Sequence, residues 1–267
     1  MKINYIIACW SGMRRVNPQA YIDDRAIFLR KHLKYMRNLK HSIDQITIII
    51  SDNPDEPKSY KDFINRLPQM INNTKIEVMR RSNIGYSYGG YSDVFERYRK
   101  QFDYYLLMED DYVFMLDNFD DIMLNDFKVD DKIGSATFWL CEDFKYRILS
   151  RTRKLNFEDR KSIADAINKY FPDTFSFPRV AVGLVKSDTL NDVWEKFGTL
   201  PYAKSNAHGA CKLEGQIGLF AAMQMVGWKL VDTNINYRIA AYSPDGKILE
   251  NGPIDKPLLL NPIQALL

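Results

Sequence analysis

Apolar positions along the chain fall into two kinds of run. INYIIACW (residues 3–10), QITIIIS (45–51), KIEVMRR (75–81) and YYLLMED (104–110) are short, β-rich and largely apolar without strict alternation. Such runs predict strands buried on both faces, as in a mostly parallel sheet. Between them, Ile22, Ala26, Leu29, Leu33 and Met36 recur at helical spacing over residues 20–36. Shorter helices are predicted over Tyr60–Leu67 and from about Tyr91 to Lys100. Strand and helix alternate four times before residue 110, which predicts an α/β fold with a Rossmann-related parallel sheet flanked by helices.

Beyond residue 115 the pattern weakens. KIGSATFWL (132–140), RVAVGLVKSD (179–188) and WKLVDTNI (228–235) predict strands, and residues 162–170 and 214–226 predict helices. Residues 141–178 are charged and otherwise irregular, and DGK, NGP and repeated prolines after Ser243 predict a turn-rich tail along the surface. The chain divides into residues 1–115, 116–245 and 246–267 within one compact domain, which a length of 267 residues allows.

Polar residues gather where the predicted strands end. Ser11, Gly12, Arg14 and Arg15 follow the first strand, Asp52 and Asn53 the second, Arg81, Asn83, Gly85, Gly89 and Gly90 the third, and Glu109, Asp110 and Asp111 the fourth. Right-handed crossovers bring all four ends to one edge, where ligands of open α/β sheets bind. Three consecutive carboxylates repel one another and resist desolvation. Either they face water on a solvated turn, or something positive meets them; a hard divalent cation such as Mg²⁺ or Mn²⁺ suits oxygen ligands of this kind. Strand alternation sends Glu109 and Asp111 to one face and Asp110 to the other. Gly85 suits a backbone shape or close approach that a side chain would block. Gly89 and Gly90, near a helix start, would expose N–H groups to an anion or to sugar hydroxyls. Tyr86, Tyr88 and Tyr91 flank this loop as candidates for a cleft wall or for plain packing.

The charge balance narrows the classes. With 37 basic and 34 acidic residues the net charge is +3, too even for a nucleic-acid partner. The basic segments Arg14-Arg15 and RILSRTRK (147–154) remain candidates for phosphate or for peripheral contact with an anionic membrane surface. The opening apolar run is too short for a signal peptide or a span, so no integral membrane contact is expected. Cys9, Cys141 and Cys211 stand far apart without zinc-type spacing, and an odd count argues for a reducing, cytoplasmic setting. The GxSxG, HExxH, P-loop and dinucleotide-binding GxGxxG patterns are absent. His32 and His41, in or beside the first helix, are expected at the surface.

Taken in order, these pieces resemble nucleotide-sugar-dependent glycosyltransferases of the GT-A fold, in particular the family 2-like group. The residues that carry the resemblance are the acidic triplet at the end of the fourth strand, RRSNIG after the third, Asp52 after the second, and Trp10, Ser11 and Gly12 after the first. The resemblance covers residues 3 to about 115. It implies a GT-A-like sheet with a less regular, acceptor-side second half. It also implies metal-dependent, inverting transfer of a sugar from a nucleoside diphosphate donor, most commonly a UDP-sugar, to a hydroxyl of a glycan or small-molecule acceptor. Trp10, Ser11, Asp52, Arg80 (which gives the clean Arg-x-x-Asn-x-Gly spacing), Asn83, Gly85 and Asp110 would then meet the nucleotide. Asp111 and Glu109 would hold Mn²⁺ or Mg²⁺, with His208 as a third ligand. The resemblance is looser in the second half, where HGACKLEGQIGLF offers Glu214 before a late helix as the general base. The second acid usual in the family is missing, since Gly215 and Gln216 follow, and Asp143 and Glu142 are the rival bases. Two other classes remain: a metal-dependent phosphate-processing enzyme, and a non-catalytic nucleotide- or carbohydrate-binding module of the same fold.

Overall fold

Strands one and two are buried along their whole lengths, because helices cover both faces of the sheet they form. The computed structural model describes residues 1–13, 19–152, 157–180, 182–206, 208–233, 239–242, 248–249 and 259–260. Arg14, Arg15, the end of RILSRTRK and most of the predicted tail lie outside the described residues. In chain order the first half runs β1 (Ile3–Cys9), α1 (Gln19–Asp23), α2 (Ile27–Asn38), β2 (Gln45–Ser51), α3 (Lys58–Asn65), β3 (Met70–Ile71), β4 (Thr74–Arg81), α4 (Tyr86–Tyr98), β5 (Tyr104–Glu109) and β6 (Val113–Phe114). The second half continues with α5 (Phe119–Asp126), β7 (Ile133–Thr137), β8 (Leu140–Phe144), α6 (Lys145–Thr152), α7 (Phe157–Tyr170), β9 (Thr174–Pro178), β10 (Gly183–Lys186) and α8 (Ser187–Phe197). It ends with α9 (His208–Ala210), a π-helical segment (Cys211–Ile217), α10 (Gly218–Met225), β11 (Lys229–Asp232), β12 (Ile239–Tyr242), β13 (Ile248–Leu249) and β14 (Leu259–Leu260).

The main sheet has the order β11-β7-β10-β5-β1-β2-β4-β3. Its centre, β4-β2-β1-β5, is parallel throughout. β10 runs antiparallel between β5 and β7, and β11 is parallel to β7. This is the expected Rossmann-related, GT-A-like architecture, with a less regular second half. Alternation along β1 divides the core in two. Ile3, Tyr5, Ile7 and Cys9 pack with α2, α3 and α5 on one face. Ile6 and Ala8 pack with α4, α7, α8 and α10 on the other.

The departures from expectation have local causes. The single helix expected over residues 20–36 is two, because the Asp24 carboxylate accepts the Ala26 N–H at 3.0 Å and competes with the helical ladder. His32 is buried, not at the surface: it lies on the inner face of α2, where its ring meets Tyr5 and its Nε2 bonds the Tyr5 hydroxyl. Burial lowers its pKa to about 3, against a raising contribution from a hydrogen bond with the Asp110 backbone. The strand expected over 132–140 breaks after Thr137. Trp139 takes a left-handed φ of 52°, and the Asp232 carboxylate accepts the amides of Trp139 and Leu140 at 3.1 and 3.0 Å. The chain leaves the main sheet there to form a two-stranded antiparallel sheet, β8 with β9, closed through α6 and α7. Within the turn-rich tail, β13 and β14 join β12 and β6 in a small sheet, in which Leu259 pairs with Phe114 and Leu260 with Val113. Among the described residues no helix is long and apolar enough to cross a membrane.

Candidate functional site at the carboxyl edge of the sheet

Register aligns the strand ends. Ala8 lies opposite Glu109, Cys9 opposite Ile50, and Ser51 opposite Arg81, so β1, β2, β4 and β5 finish at one edge. A cavity of about 210 Å³ opens there, lined by Ala8, Cys9, Trp10, Ser51, Asn83, Tyr86, Ser87, Glu109, Asp110 and Asp111. Five candidate site residues, Trp10, Asn83 and the three carboxylates, therefore share one wall. The Trp10 ring lies over Gly12, where an added Cβ would come within 2.3 Å of it. Tyr21 fastens this loop by donating its hydroxyl to the Trp10 and Gly12 carbonyls at 2.9 and 2.7 Å.

The acidic triplet is a turn. Asp110 N–H donates to the Ala8 carbonyl at 3.1 Å, and Tyr112 N–H to that of Glu109 at 3.2 Å. On one side of the sheet, Tyr91 on α4 is held well above its ordinary pKa by burial and then by the charges of Glu109, Tyr88, Asp111 and Cys9. On the other side, burial and then the charges of Cys9 and Asp110 do the same to Tyr60 on α3. Ser87 donates its hydroxyl to Glu109 Oε1 at 2.5 Å, a charge-assisted contact that sequence reading missed.

The loop from β4 to α4 is built around Gly85, whose φ is +71°. A Cβ there would fall 2.6 Å from the Ala203 carbonyl oxygen, so both reasons expected for glycine apply. Gly89 and Gly90 serve differently from expectation. They are buried inside α4, which begins at Tyr86, and Gly89 N–H already donates to the Gly85 carbonyl at 3.1 Å. Their small size lets the helix close on its own loop and on Ile49. Of the paired arginines, Arg81 is the buried one. It bonds Asp93 at 2.5 Å and the Ile84 carbonyl at 2.9 Å, shaping the loop from inside. Arg80 reaches the buried Glu56 at 3.2 Å and does not line the cavity. Asp52 is exposed and also stands outside the lining, although its N–H donates to the Arg81 carbonyl at 2.8 Å. Ser11 is buried and accepts from Asn53 Nδ2 at 3.3 Å.

A second cavity of about 230 Å³ shares Tyr86, Ser87 and Glu109 with the first. Its other walls are Tyr88, Tyr112, Arg179, His208, Cys211, Lys212 and Gln216. Tyr86 and Tyr88 thus line clefts, while Tyr91 belongs to the core. Burial, then the Glu214 charge, pushes the Cys211 thiol up to about 11, so it is no thiolate nucleophile at neutral pH. Neither candidate base lines either cavity. Glu214 is buried on the π-helical segment and accepts the Ser162 hydroxyl at 2.9 Å. Asp143 is buried in β8, where its Oδ1 accepts the Phe144 N–H at 2.8 Å.

Asn206 also escaped the sequence reading. It accepts the Gly85 N–H at 3.2 Å, donates to the Asn83 carbonyl, and offers its own carbonyl to the Tyr86 hydroxyl at 2.7 Å. No local pattern marks it, since its partners lie some 120 residues away. The donors at the edge are hard oxygens, which suits Mg²⁺ or Mn²⁺. Among the described residues no three His, Cys, Asp or Glu side chains converge as a ready metal cluster, and His208 lines only the second cavity. A cation with one or two carboxylates here would take its remaining ligands from a bound diphosphate and water, as Mg²⁺ sites commonly do.

No protein-family model matches the chain, and no curated protein matches it. Among solved structures it is similar to CMP:2-keto-3-deoxy-manno-octonic acid synthetase complexed with CTP, with TM-score 0.44 and 13% identity over 87% of this chain and 89% of that one. It is also similar to mouse xyloside xylosyltransferase 1, with TM-score 0.42 and 7% identity over 97% of each chain. A third likeness is to glucosyl-3-phosphoglycerate synthase from Mycobacterium tuberculosis, with TM-score 0.37 and 11% identity over 87% of this chain and 70% of that one. Likeness at this level assigns no activity.

Proposed function

We propose that the protein is a nucleotide-sugar-dependent glycosyltransferase, moving a sugar from a nucleoside diphosphate donor to an acceptor hydroxyl. One observation carries the reading: a cavity at the carboxyl ends of β1, β2, β4 and β5 that gathers Trp10, Asn83 and all three carboxylates on one wall. Trp10 offers a flat face for a base, and Asn83, Tyr86 and Ser87 line the same cavity. Glu109 and Asp111 would hold Mn²⁺ or Mg²⁺; His208, the third residue expected there, lines only the second cavity and is left out of this ligand set. Such a cation offsets the negative charge that develops on a diphosphate leaving group. The Ser87 hydroxyl fixes the Glu109 carboxylate, which borders both cavities. In an inverting reaction the acceptor hydroxyl loses its proton to a carboxylate, and Glu214 is the candidate base. It lies between Lys212 and Gln216, which line the second cavity, and π-helical turns are frequent at functional sites. Its bond to Ser162 sets a condition on this role: the carboxylate turns from Ser162 to the acceptor, or the hydroxyl passes the proton.

A panel of UDP-, GDP- and dTDP-sugars with Mn²⁺ or Mg²⁺ tests the reading. Release of nucleoside diphosphate that depends on the cation is the expected result. Binding without turnover across donors and acceptors favours the non-catalytic module. The two buried candidate bases are the observation on that side.

A further inference from the structure

The two cavities carry opposite charge patterns. The first is walled by three carboxylates. The second sets Arg179, Lys212 and His208 against the single carboxylate of Glu109, on the shared wall. Arg80, Arg81 and Arg99 are each held in an ion pair, whereas among the described residues Arg179, Lys212 and His208 make none.

The cations are placed by the fold. Gln216 Nε2 donates to the carbonyls of Pro178 and Arg179 at 2.9 and 3.1 Å, tying the end of β9 to the π-helical segment that carries Lys212. Arg179 N–H donates to the Trp139 carbonyl at 3.1 Å, and its Nε to Cys141 Sγ at 3.0 Å. A guanidinium and an ammonium at one concave wall favour a planar or tetrahedral anion, which the guanidinium meets with paired donors. The field of such a wall also draws anions into the cleft.

We infer that the second cavity receives an anionic group of the acceptor, a phosphate or a carboxylate, held by Arg179 and Lys212 with His208 beside it. This rests on reading the first cavity as the donor site. A cationic acceptor wall beside a carboxylate donor wall keeps the two substrates apart: the acceptor anion is drawn to one side of Glu109, and a donor–cation complex to the other.

The test titrates inorganic phosphate, and separately acetate, into the full chain saturated with UDP and Mg²⁺, by calorimetry. Wild type, Arg179→Gln, Lys212→Gln and the double variant are compared. Arg179 and Lys212 are exposed, so unchanged melting is expected and is checked first. Saturable anion binding is expected, weakened about tenfold or more in the double variant, with UDP affinity kept within about twofold. Whichever anion binds more tightly tells phosphate from carboxylate. Absence of saturable binding by either anion overturns the inference, as does equal affinity in wild type and double variant. UDP affinity that falls in step with anion affinity also overturns it, and assigns the cations to the donor diphosphate. Failure of the donor reading looks different: no UDP binding, with phosphate still bound through Arg179 and Lys212.

Discussion

In the parallel half of the sheet, side chains reach the first cavity by strand geometry; in the second half they reach the second cavity by long-range hydrogen bonds. Trp10, Ser51 and Glu109 stand at their wall because β1, β2 and β5 are in register and end together. Arg179 and Lys212 stand at theirs because Gln216 ties β9 to the π-helical segment. The first arrangement is set by a repeating pattern, the second by particular pairs. A substitution at the first wall, or at the exposed Arg179 and Lys212, should therefore change chemistry with little change in stability, while one at Gln216, which ties the second wall together, can alter both.

The sharpest trial of the first wall is Asp111→Asn, which keeps shape and removes charge. Turnover is expected to fall by roughly 10³-fold in a donor-release assay, with an unmoved melting temperature in the absence of metal. The added stability conferred by cation plus nucleotide should shrink. Wild-type rates across a Mn²⁺ titration would remove Asp111 from the site.

Glu214→Gln probes the second half. As the base, its loss should lower turnover about 10²-fold with donor affinity unchanged. If Glu214 only holds α7 to the π-helical segment through Ser162, the outcome reverses: turnover stays near normal and the denaturation midpoint drops.

His32 supplies a trial that no functional reading touches. Its folded pKa lies far below the ordinary imidazole value, so the unfolded chain takes up a proton that the folded one refuses. The neutral ring's contribution is therefore complete above pH 6.5 and is lost progressively as pH falls toward 3. Between pH 7 and pH 5 this costs up to about 2 kcal/mol. Denaturant titrations of wild type and His32→Gln at both values should show a smaller pH dependence in the variant; parallel losses would refute the assignment.

The smallest effect is expected at Asp52, which is exposed and outside the cavity lining. Asp52→Ala should weaken UDP by about 1 kcal/mol, the low end for a lost ligand hydrogen bond, with the metal requirement intact. Identical calorimetric affinities would remove Asp52 from nucleotide contact.

Much of the first wall was legible in the sequence. Continuous apolar runs announced buried strands, and polar residues after each run announced the edge. Ser87 and Tyr86 were harder to assign, because the predicted start of α4 lay at Tyr91. Glycine lowers helix propensity, yet Gly89 and Gly90 sit inside the helix for close packing, so a local rule gave way to a tertiary one. His32 misled for a related reason: a single polar residue on an amphipathic helix gives no sign that Tyr5 waits opposite. In the second half the missed residues are those whose roles exist only in pairs, such as Asp232 with Trp139, Gln216 with Arg179, and Asn206 with Gly85. Sequence periodicity describes a residue's relation to its own element and is silent about a partner a hundred positions away.

Asn206 has a consequence for anyone redesigning this protein. Its amide is the dowel between two parts that otherwise look like separable modules. The loop it grips carries Asn83 and Tyr86, and the segment it belongs to leads within a few residues to His208 and Lys212. Grafting a foreign second half onto this first half would have to reproduce the bonds that this one side chain makes. A residue inserted between Tyr202 and Asn206 is expected to pull the Asn206 amide away from Gly85 and Asn83. The stretch is short, with Ala203 buried and Asn206 exposed, so its reach from the core to the β4–α4 loop rests on a few residues.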